Sequence, residues 1–307
     1  MKESLRTKVL AIISEDQILY NEPMSLHTTF RVGGMADTVL IPGNEKEAVA
    51  LLRLFSDCKE PWFVLGNGSN LLVSDKGYRG TVIWIDHNLS EITIDDDKIR
   101  ADAGALLVKI ASLAAEASQS GMEFASGIPG TLGGAIAMNA GAYGGEMKDI
   151  VESARIFNPE TKQCEEIAGK DLCFSYRNSL IRQKGYVVLS ATLKLAKGDP
   201  VSIRSRMAEL KEARTQKQPL EFPSAGSTFK RPEGYFAGKL IDDAGLRGYR
   251  VGDAQVSEKH AGFVINTGRA TAEDVITLIR NVRKEVYEKS GILLEPEVCM
   301  LGEGLEL

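Results

Sequence analysis

The sequence has few of the residues that build metal centres and disulfide frameworks. Its 307 residues include four cysteines and three histidines. These residues are scattered along the chain, without Cys-x-x-Cys or His-x-x-x-His spacing. We therefore expect neither a structural zinc site, nor a catalytic metal, nor a disulfide-stapled scaffold.

Long apolar runs and an excess of basic residues are missing as well. No stretch approaches the ~20 apolar residues that a membrane-spanning helix needs. The N-terminal stretch Met1–Asp16 carries charges throughout, unlike a secretory signal. A formal net charge of -5 gives no reason to expect nucleic-acid binding. We therefore expect a cytoplasmic protein with neither a membrane nor a nucleic-acid partner, and its length suggests at least two domains.

Glycine, by contrast, is concentrated in one segment. Residues 126–145 read SGIPGTLGGAIAMNAGAYGG and include seven glycines. Glycine lets a main chain approach a ligand closely, and the amides of such loops typically hold a phosphate or pyrophosphate. A flexible linker is the alternative, but apolar residues such as Ile128, Leu132 and Ile136 indicate that the loop is packed.

A second glycine-rich segment, Gly66–Asn70, directly follows the apolar run Trp62–Leu65, which predicts a buried strand. It fails the dinucleotide fingerprint G-x-G-x-x-G because Leu71 stands where the third glycine belongs. The next residues, Leu71–Val73, predict a strand where that fingerprint requires a helix. We therefore expect a strand–turn–strand element whose amides can also hold phosphate.

The remaining pattern predicts an α+β protein. Asn44 is expected to cap a helix, with Glu47 completing a capping box, and a second helix is expected over about 106–120. Further strands are predicted near 38–41, 81–85, 91–94, 98–101, 151–157, 163–167, 187–195, 251–256 and 263–266, and further helices near 201–216, 236–244 and 271–290. Because strands follow one another without alternating helices, we expect antiparallel sheets rather than βαβ units. The segment Lys197–Pro200 is the predicted domain boundary.

These segments together resemble the UDP-N-acetylenolpyruvoylglucosamine reductase (MurB) family over nearly the whole chain. The resemblance rests on blocks in the family's order: TTFRVGG (28–34), LGNGSNLLV (65–73), the 126–144 loop, SYRNS (175–179), SAGSTFKRP (224–232), AGKLID (237–242), QVSEKHAGFVIN (255–266) and LEPEV (294–298). After Arg177 the chain passes quickly into the predicted Val187–Leu195 strand. It thus resembles the shorter, type II form, which lacks the substrate-covering insert and its tyrosine.

The family resemblance implies the domain organisation and the reaction. It implies a vanillyl-alcohol-oxidase/PCMH-type FAD-binding domain over 1–198, with two α+β subdomains at about 1–75 and 76–198. A smaller α+β substrate-binding domain would follow at 199–295, and segment 296–307 would return to the active site. The implied reaction is the NADPH-dependent reduction of UDP-N-acetylglucosamine enolpyruvate to UDP-N-acetylmuramate through non-covalent FAD, in peptidoglycan precursor synthesis. We expect a monomer.

The same resemblance implies the site residues. The catalytic residues would be Ser227, Arg177 and Glu297. The FAD-binding residues would be Arg31, Gly66, Asn67, Gly68, Ser69, Asn70, Leu71, Ser126, Gly127, Ile128, Pro129, Gly130, Gly133, Gly134, Ala135, Asn139, Ala140 and Gly141. The substrate contacts would be Tyr176, Arg177, Arg214, Lys230, Gln255 and Asn266.

The three catalytic residue types suit the chemistry. Hydride addition to the enolpyruvyl double bond leaves negative charge that spreads onto the substrate carboxylate, which Arg177 can bind bidentately. A protonated Glu297 can donate to the resulting enolate, and Ser227 can supply the proton that the carbanion takes. On residue type alone, each could instead be structural: an ion-pair arginine, a turn serine and a solvated glutamate.

Two other functions remain open from the sequence. One is an oxidase of a small alcohol or sugar on the same FAD-binding fold. The absence of an evident His or Cys for covalent flavin attachment argues against it. The other is a nucleotide-sugar-binding protein without chemistry, which would carry no flavin. Fold class does not decide between these functions, whereas the C-terminal motifs favour the reductase.

Overall fold

The computed structural model describes all 307 residues. The chain forms two compact units, each assembled from segments that are distant in sequence. The first unit comprises residues 1–19, 38–67 and 80–214, and the second comprises 20–37, 68–79 and 215–307. These boundaries differ from the contiguous ones expected from the sequence. Lys197–Pro200 lies inside the first unit, and residues 296–307 belong to the second.

The helices differ widely in length, from one turn to five. They span Glu3–Leu10 (α1), Glu45–Ser56 (α2), Leu107–Glu116 (α3), Leu132–Met138 (α4), Leu180–Lys184 (α5), Pro200–Lys217 (α6), Ala237–Asp243 (α7) and Ala272–Ser290 (α8). None of them combines the length and the apolar character that a bilayer crossing requires.

The strands are mostly short. They span Ile18–Pro23 (β1), Met35–Leu40 (β2), Trp62–Leu65 (β3), Leu71–Val73 (β4), Tyr78–Trp84 (β5), Ile92–Asp95 (β6), Lys98–Asp102 (β7), Gln119–Ser120 (β8), Gly141–Ala142 (β9), Gly145–Glu146 (β10), Val151–Asn158 (β11), Gln163–Ala168 (β12), Val187–Lys194 (β13), Ala196–Lys197 (β14), Ser224–Ser227 (β15), Arg250–Val251 (β16), Ala254–Val256 (β17), Phe263–Asn266 (β18) and Cys299–Leu301 (β19).

The first unit is built on a five-stranded sheet in the order β12-β11-β13-β7-β6, in which all neighbours pair antiparallel. The apolar sides of α3 and α4, including Ile110 and Ile136, are fully buried in one core with strand residues such as Ile99 and Ile156. This core fixes α4, which continues the glycine-rich loop. Strand β3 also pairs in parallel with β5, with Trp62 opposite Thr81.

The second unit is built on the antiparallel sheet β15-β18-β17-β16 and on helix α8. Helix α8 buries Ile276, Ile279 and Val282 in the core of this unit. Its N-terminus is capped twice. Thr271 accepts the amide of Asp274, and the Asp75 carboxylate accepts the amides of the first two helical residues at 2.8 and 2.9 Å. Acceptors at these positions satisfy amides that have no partner within the helix.

Most predicted elements are present. Asn44 caps α2 by accepting the backbone amide of Glu47 at 3.0 Å. The Glu47 carboxylate accepts the backbone amide of Gly43 rather than the backbone amide of Asn44, so the predicted capping box is not completed. The helix expected to reach residue 120 ends at Glu116 instead. Gln119–Ser120 leaves the helix because it pairs with Ala196–Lys197, so a strand contact overrides the helical pattern.

Candidate functional site

Residues from both glycine-rich segments line one cavity of about 160 Å³ in the first unit. Gly66 contributes from the turn after β3, and Gly133 and Gly134 contribute from the start of α4. The rest of the lining is largely apolar, with Ile85 and Val188 among its members. The structure thus brings together three of the predicted flavin-binding glycines, which lie far apart in sequence.

At Gly66 and Gly133 the main chain lining this cavity lies too close to its neighbours for a side chain to fit without movement. A Cβ on Gly66 would lie 2.5 Å from the Thr131 hydroxyl oxygen, and one on Gly133 would lie 3.0 Å from the Ala103 Cβ. The side chain of Asn67 also donates to the carbonyl of Pro129, which ties the two loops together. This cradle of small residues and amides suits a flat, phosphate-bearing cofactor such as FAD.

Thr131 is a candidate that the sequence analysis missed. Its side chain is 3 % exposed, lines the cavity and makes no hydrogen bond within the protein. A buried hydroxyl usually has a partner, so one facing a cavity is available to a ligand. The only sequence signal was its place in the glycine-rich segment, directly after Pro129-Gly130.

Arg214 lies against Gly127, near the start of the glycine-rich segment 126–145. A Cβ on Gly127 would lie 2.9 Å from its guanidinium nitrogen. Burial lowers the pKa of Arg214, while Tyr143 acts in the opposite direction. No carboxylate forms an ion pair with this half-buried guanidinium. A desolvated cation beside a glycine-rich loop is suited to bind an anionic group of a ligand.

Arg177 occupies a tight turn elsewhere in the first unit. Ser175 and Asn178 exchange backbone hydrogen bonds of 3.0 and 3.2 Å across the turn. Arg177 itself has a φ of 55°, a conformation that few non-glycine residues adopt. Its guanidinium donates to the Gly141 carbonyl at 3.4 Å and lies over the ring of Tyr176, 5.2 Å from the ring centroid. The predicted catalytic arginine is therefore held at the end of the glycine-rich loop.

Asn139, predicted to bind FAD, is fully buried at the C-terminal end of α4. Its Nδ2 donates to Glu146 and to the Ser175 carbonyl, and its Oδ1 accepts the amide of Lys148. Ala135, also predicted to contact the cofactor, is 4 % exposed and packs in the core. These two side chains are engaged within the protein.

Ser227 and Glu297 lie close together along the backbone of the second unit. Ser227 ends β15 beside Phe263 of β18, and the amide of Glu297 donates to the carbonyl of the next residue, Thr228, at 2.8 Å. The half-buried hydroxyl of Ser227 makes no hydrogen bond within the protein. The structure therefore brings two of the three predicted catalytic residues to one strand edge, with the serine hydroxyl available to a substrate.

The second half of the Gly66–Asn70 segment contacts the chain at Glu297 and at the start of β19. Gly68 has a φ of +59°, and a Cβ there would lie 1.9 Å from the His27 carbonyl oxygen, so only glycine fits. The side chain of Asn70 donates to the Glu297 carbonyl at 3.1 Å, and Leu71 pairs in parallel with Cys299. Arg31, another predicted cofactor contact, is exposed in the same unit.

The predicted substrate contacts of the second unit differ in availability. Lys230 forms an ion pair with Glu295 at 3.0 Å, and Gln255 donates to the Gly248 carbonyl at 3.2 Å. Asn266 is 4 % exposed, and its side chain bonds the amides of Gly268 and Ala270 and the Phe30 carbonyl. That arrangement favours a structural role for Asn266 over the predicted contact with the sugar nucleotide.

Comparison with known proteins places these features in a family. Residues 36–165 match the FAD binding domain model, and residues 218–301 match the UDP-N-acetylenolpyruvoylglucosamine reductase C-terminal domain model. The reductase of Caldanaerobacter subterraneus subsp. tengcongensis is 50% identical over 303 residues, 99% of this chain and 100% of its own. The chain belongs to the UDP-N-acetylenolpyruvoylglucosamine reductase (MurB) family. The Clostridioides difficile reductase is 48% identical over 98% of this chain and 99% of its own.

Solved structures agree with this family placement. The crystal structure of the Thermus caldophilus MurB has a TM-score of 0.79 at 37% identity, covering 93% of this chain and 98% of that one. An alkyldihydroxyacetonephosphate synthase has a TM-score of 0.51 at 16% identity, covering 64% of this chain and 41% of that one, which shows likeness of fold alone. The predicted fold class, an FAD-binding domain joined to a MurB-type C-terminal domain, and the predicted flavin cofactor are confirmed.

Proposed function

We propose that this chain reduces UDP-N-acetylglucosamine enolpyruvate to UDP-N-acetylmuramate, with NADPH as the hydride source and FAD as the bound cofactor. One observation carries the proposal. A single chain joins an FAD-binding domain containing both glycine-rich loops to a MurB C-terminal domain containing Ser227 and Glu297. The sequence relatives with that reductase name match over nearly their full length.

The cofactor assignment in this proposal fits the first unit. Bound FAD would supply the chemistry of hydride transfer between NADPH and the enolpyruvyl double bond. Gly66, Gly133 and Gly134 would hold it by close main-chain approach, with Thr131 offering a hydroxyl. Arg214 was predicted to contact the UDP-sugar, but its place against Gly127 favours a phosphate of FAD instead.

The protein's own groups would handle the charge and the proton. Arg177 is proposed to bind the substrate carboxylate, on which negative charge develops after hydride addition; one such oriented donor is typically worth about 3–4 kcal/mol. Ser227, whose hydroxyl has no partner within the protein, is proposed to give its proton to the carbanion carbon. Glu297, as a protonated acid, would donate to the enolate oxygen. Tyr176, Lys230 and Gln255 remain proposed substrate contacts.

We also propose that the chain is of the shorter, type II form and works as a cytoplasmic monomer. Between Arg177 and β13 there is only the short helix α5, which supports the absence of a substrate-covering insert. None of the four cysteines is in a disulfide, as is typical of reducing compartments. We retain 1–198 and 199–295 as proposed functional domains, although the compact units are drawn differently.

The test of this function is a product assay. The purified holoprotein is incubated with NADPH and the enolpyruvyl substrate, and NADPH loss is compared with product measured by mass spectrometry. The proposal predicts one product molecule, heavier than the substrate by two hydrogens, for each NADPH consumed. Oxygen consumption with no such product would indicate an oxidase instead, and substrate binding without NADPH oxidation would indicate a binding protein.

A further inference from the structure

The side chain of Asn139 has no surface left for a cofactor. It is 0% exposed, and both Nδ2 hydrogens are used, at 2.9 Å to Glu146 Oε2 and 3.1 Å to the Ser175 carbonyl oxygen. Its Oδ1 accepts the amide of Lys148 at 2.9 Å. An amide group carries two N–H donors, so this one has none left to donate to FAD.

The Asn139 side chain instead holds the turn that carries Arg177. Ser175, which receives one of its hydrogen bonds, opens the Ser175–Asn178 turn. A second anchor follows the turn, where the buried Ser179 hydroxyl donates to the Ala137 carbonyl at 2.8 Å. Both anchors come from the last part of α4 and its cap. Arg177, in its uncommon left-handed conformation, is thereby fixed from both sides.

The other acceptor of Asn139, Glu146, sets the charge around this turn. Hydrogen bonding to Lys148 lowers the pKa of Glu146 against the effect of its partial burial, with further lowering from Asn139 and from the charge of Arg177. The Glu146 carboxylate is therefore ionised near the guanidinium and is held in place by Asn139. Because charge interactions are stronger when oriented and partly desolvated, a displaced carboxylate would change the field at Arg177.

We propose that Asn139 is a positioning residue for Arg177: its side-chain amide joins the Ser175–Asn178 turn and the Glu146 carboxylate to the end of α4, and it does not bind the flavin. This inference rests on the proposed function, since it assumes that Arg177 binds the substrate carboxylate. The conformation at position 139 also explains the residue type. Its φ is 46° and its ψ is 55°, which asparagine tolerates better than most residues.

The test variant is Asn139→Gly, because glycine keeps the left-handed backbone and removes only the side-chain hydrogen bonds. Ser118→Gly is the matched control: Ser118 also has a positive φ, of 57°, lies in the same unit and makes no side-chain hydrogen bond. Each protein is reconstituted with FAD, and both half-reactions are followed anaerobically by stopped-flow absorbance.

The inference predicts that Asn139→Gly reduces with NADPH at the wild-type rate but reoxidises with the enolpyruvyl substrate about 10- to 100-fold more slowly, as misplacement by about 1 Å typically does. FAD affinity should stay within about twofold of wild type, whereas a lost flavin hydrogen bond would weaken it by about tenfold. Ser118→Gly should match wild type in every measurement.

A second variant, Ser179→Ala, removes the other anchor of the turn and decides the matter if Asn139→Gly does not fold. It should slow reoxidation in the same selective way. Wild-type reoxidation in the variant that folds, or weakened FAD binding as the main defect of Asn139→Gly, would overturn the inference. Failure of the wild-type protein to reoxidise with this substrate would refute the proposed function instead, so the two failures are distinguishable.

Discussion

Replacing Gly66 by alanine would place a methyl group 2.5 Å from the Thr131 hydroxyl oxygen and 3.6 Å from its Cβ and Cγ2. The shortest of these separations is well inside van der Waals contact. Thr131 is 3 % exposed, so it cannot turn into solvent to relieve the overlap. The two glycine-rich loops must therefore separate, or Thr131 must change its rotamer within the cavity.

The expected magnitude follows from two opposing effects. Overpacking of this kind typically destabilises a protein by about 1–3 kcal/mol, while alanine restricts the unfolded chain and stabilises it by about 0.4–1 kcal/mol. We expect a net loss of about 1–2 kcal/mol in the free energy of unfolding of the apoprotein. Because the same atoms line the cavity, the FAD dissociation constant should rise about tenfold, which corresponds to about 1.4 kcal/mol.

The assay is a double-mutant cycle with Thr131→Ala, read by urea denaturation of the apoprotein and by fluorescence titration with FAD. In the Thr131→Ala background the overlap is gone, so the Gly66→Ala substitution should no longer destabilise the apoprotein and should stabilise it by up to about 1 kcal/mol. Gly134→Ala is the control, since its Cβ would lie 3.7 Å from the nearest atom and alanine favours a helix over glycine. It should not destabilise the apoprotein. Unchanged stability in Gly66→Ala, or equal losses with and without the Thr131 hydroxyl, would refute the reasoning.

Three further changes test other parts of the site. Ser227→Ala should leave flavin reduction by NADPH intact and slow reoxidation by the substrate about 100-fold or more in stopped-flow traces; equal slowing of both half-reactions would remove Ser227 from proton donation. Arg214→Ala should raise the FAD dissociation constant about tenfold. If only the KM for the sugar nucleotide rises, Arg214 contacts the UDP-sugar rather than FAD. Glu146→Gln should destabilise the protein at neutral pH, because Lys148 lowers the pKa of Glu146 below the ordinary 4.5 in the folded state. The stability that ionised Glu146 contributes is present above its pKa in the unfolded chain and is lost as pH falls through its lower pKa in the folded protein. The urea midpoints of wild type and Glu146→Gln should therefore converge in acid. A difference that stays constant with pH would contradict this role of the Glu146 carboxylate.

Local elements and their ends were largely predictable from the sequence. The cap at Asn44 and the long helix after Thr271 depend on interactions within one or two turns, which the local pattern contains. The predicted end of α3 was wrong because Gln119–Ser120 pairs with residues almost eighty positions later. A contact of that range leaves no mark in the local periodicity.

The composition of the glycine-rich loops was enough to predict a cofactor cradle, but not the direction of each side chain. Asn139 lies in a segment of the kind that contacts a flavin, yet its side chain points into the protein and donates to Glu146 and to the Ser175 carbonyl of the Arg177 turn. Thr131 went unnoticed because its value comes from facing a cavity, which sequence spacing does not reveal. Motif blocks thus locate a site, whereas the role of each residue depends on tertiary packing.

Unit boundaries were the least predictable feature. Segments 20–37 and 68–79 belong to the same compact unit as the C-terminal residues, and residues 38–67 between them do not. The cause is visible in pairs such as Leu71 with Cys299 and Asp75 with the first amides of α8. The Gly- and Pro-containing segment Lys197–Pro200 resembles a linker in sequence, but it lies inside the first compact unit.

The flavin-dependent reductase function is tested most directly by a visible spectrum of the purified protein, recorded anaerobically while NADPH and then UDP-N-acetylglucosamine enolpyruvate are added. We expect a yellow protein that bleaches with NADPH and regains its colour with that substrate. A yellow protein that recovers only on admission of oxygen would contradict the reductase function, and a colourless protein that gains no colour with added FAD would contradict the flavin assignment.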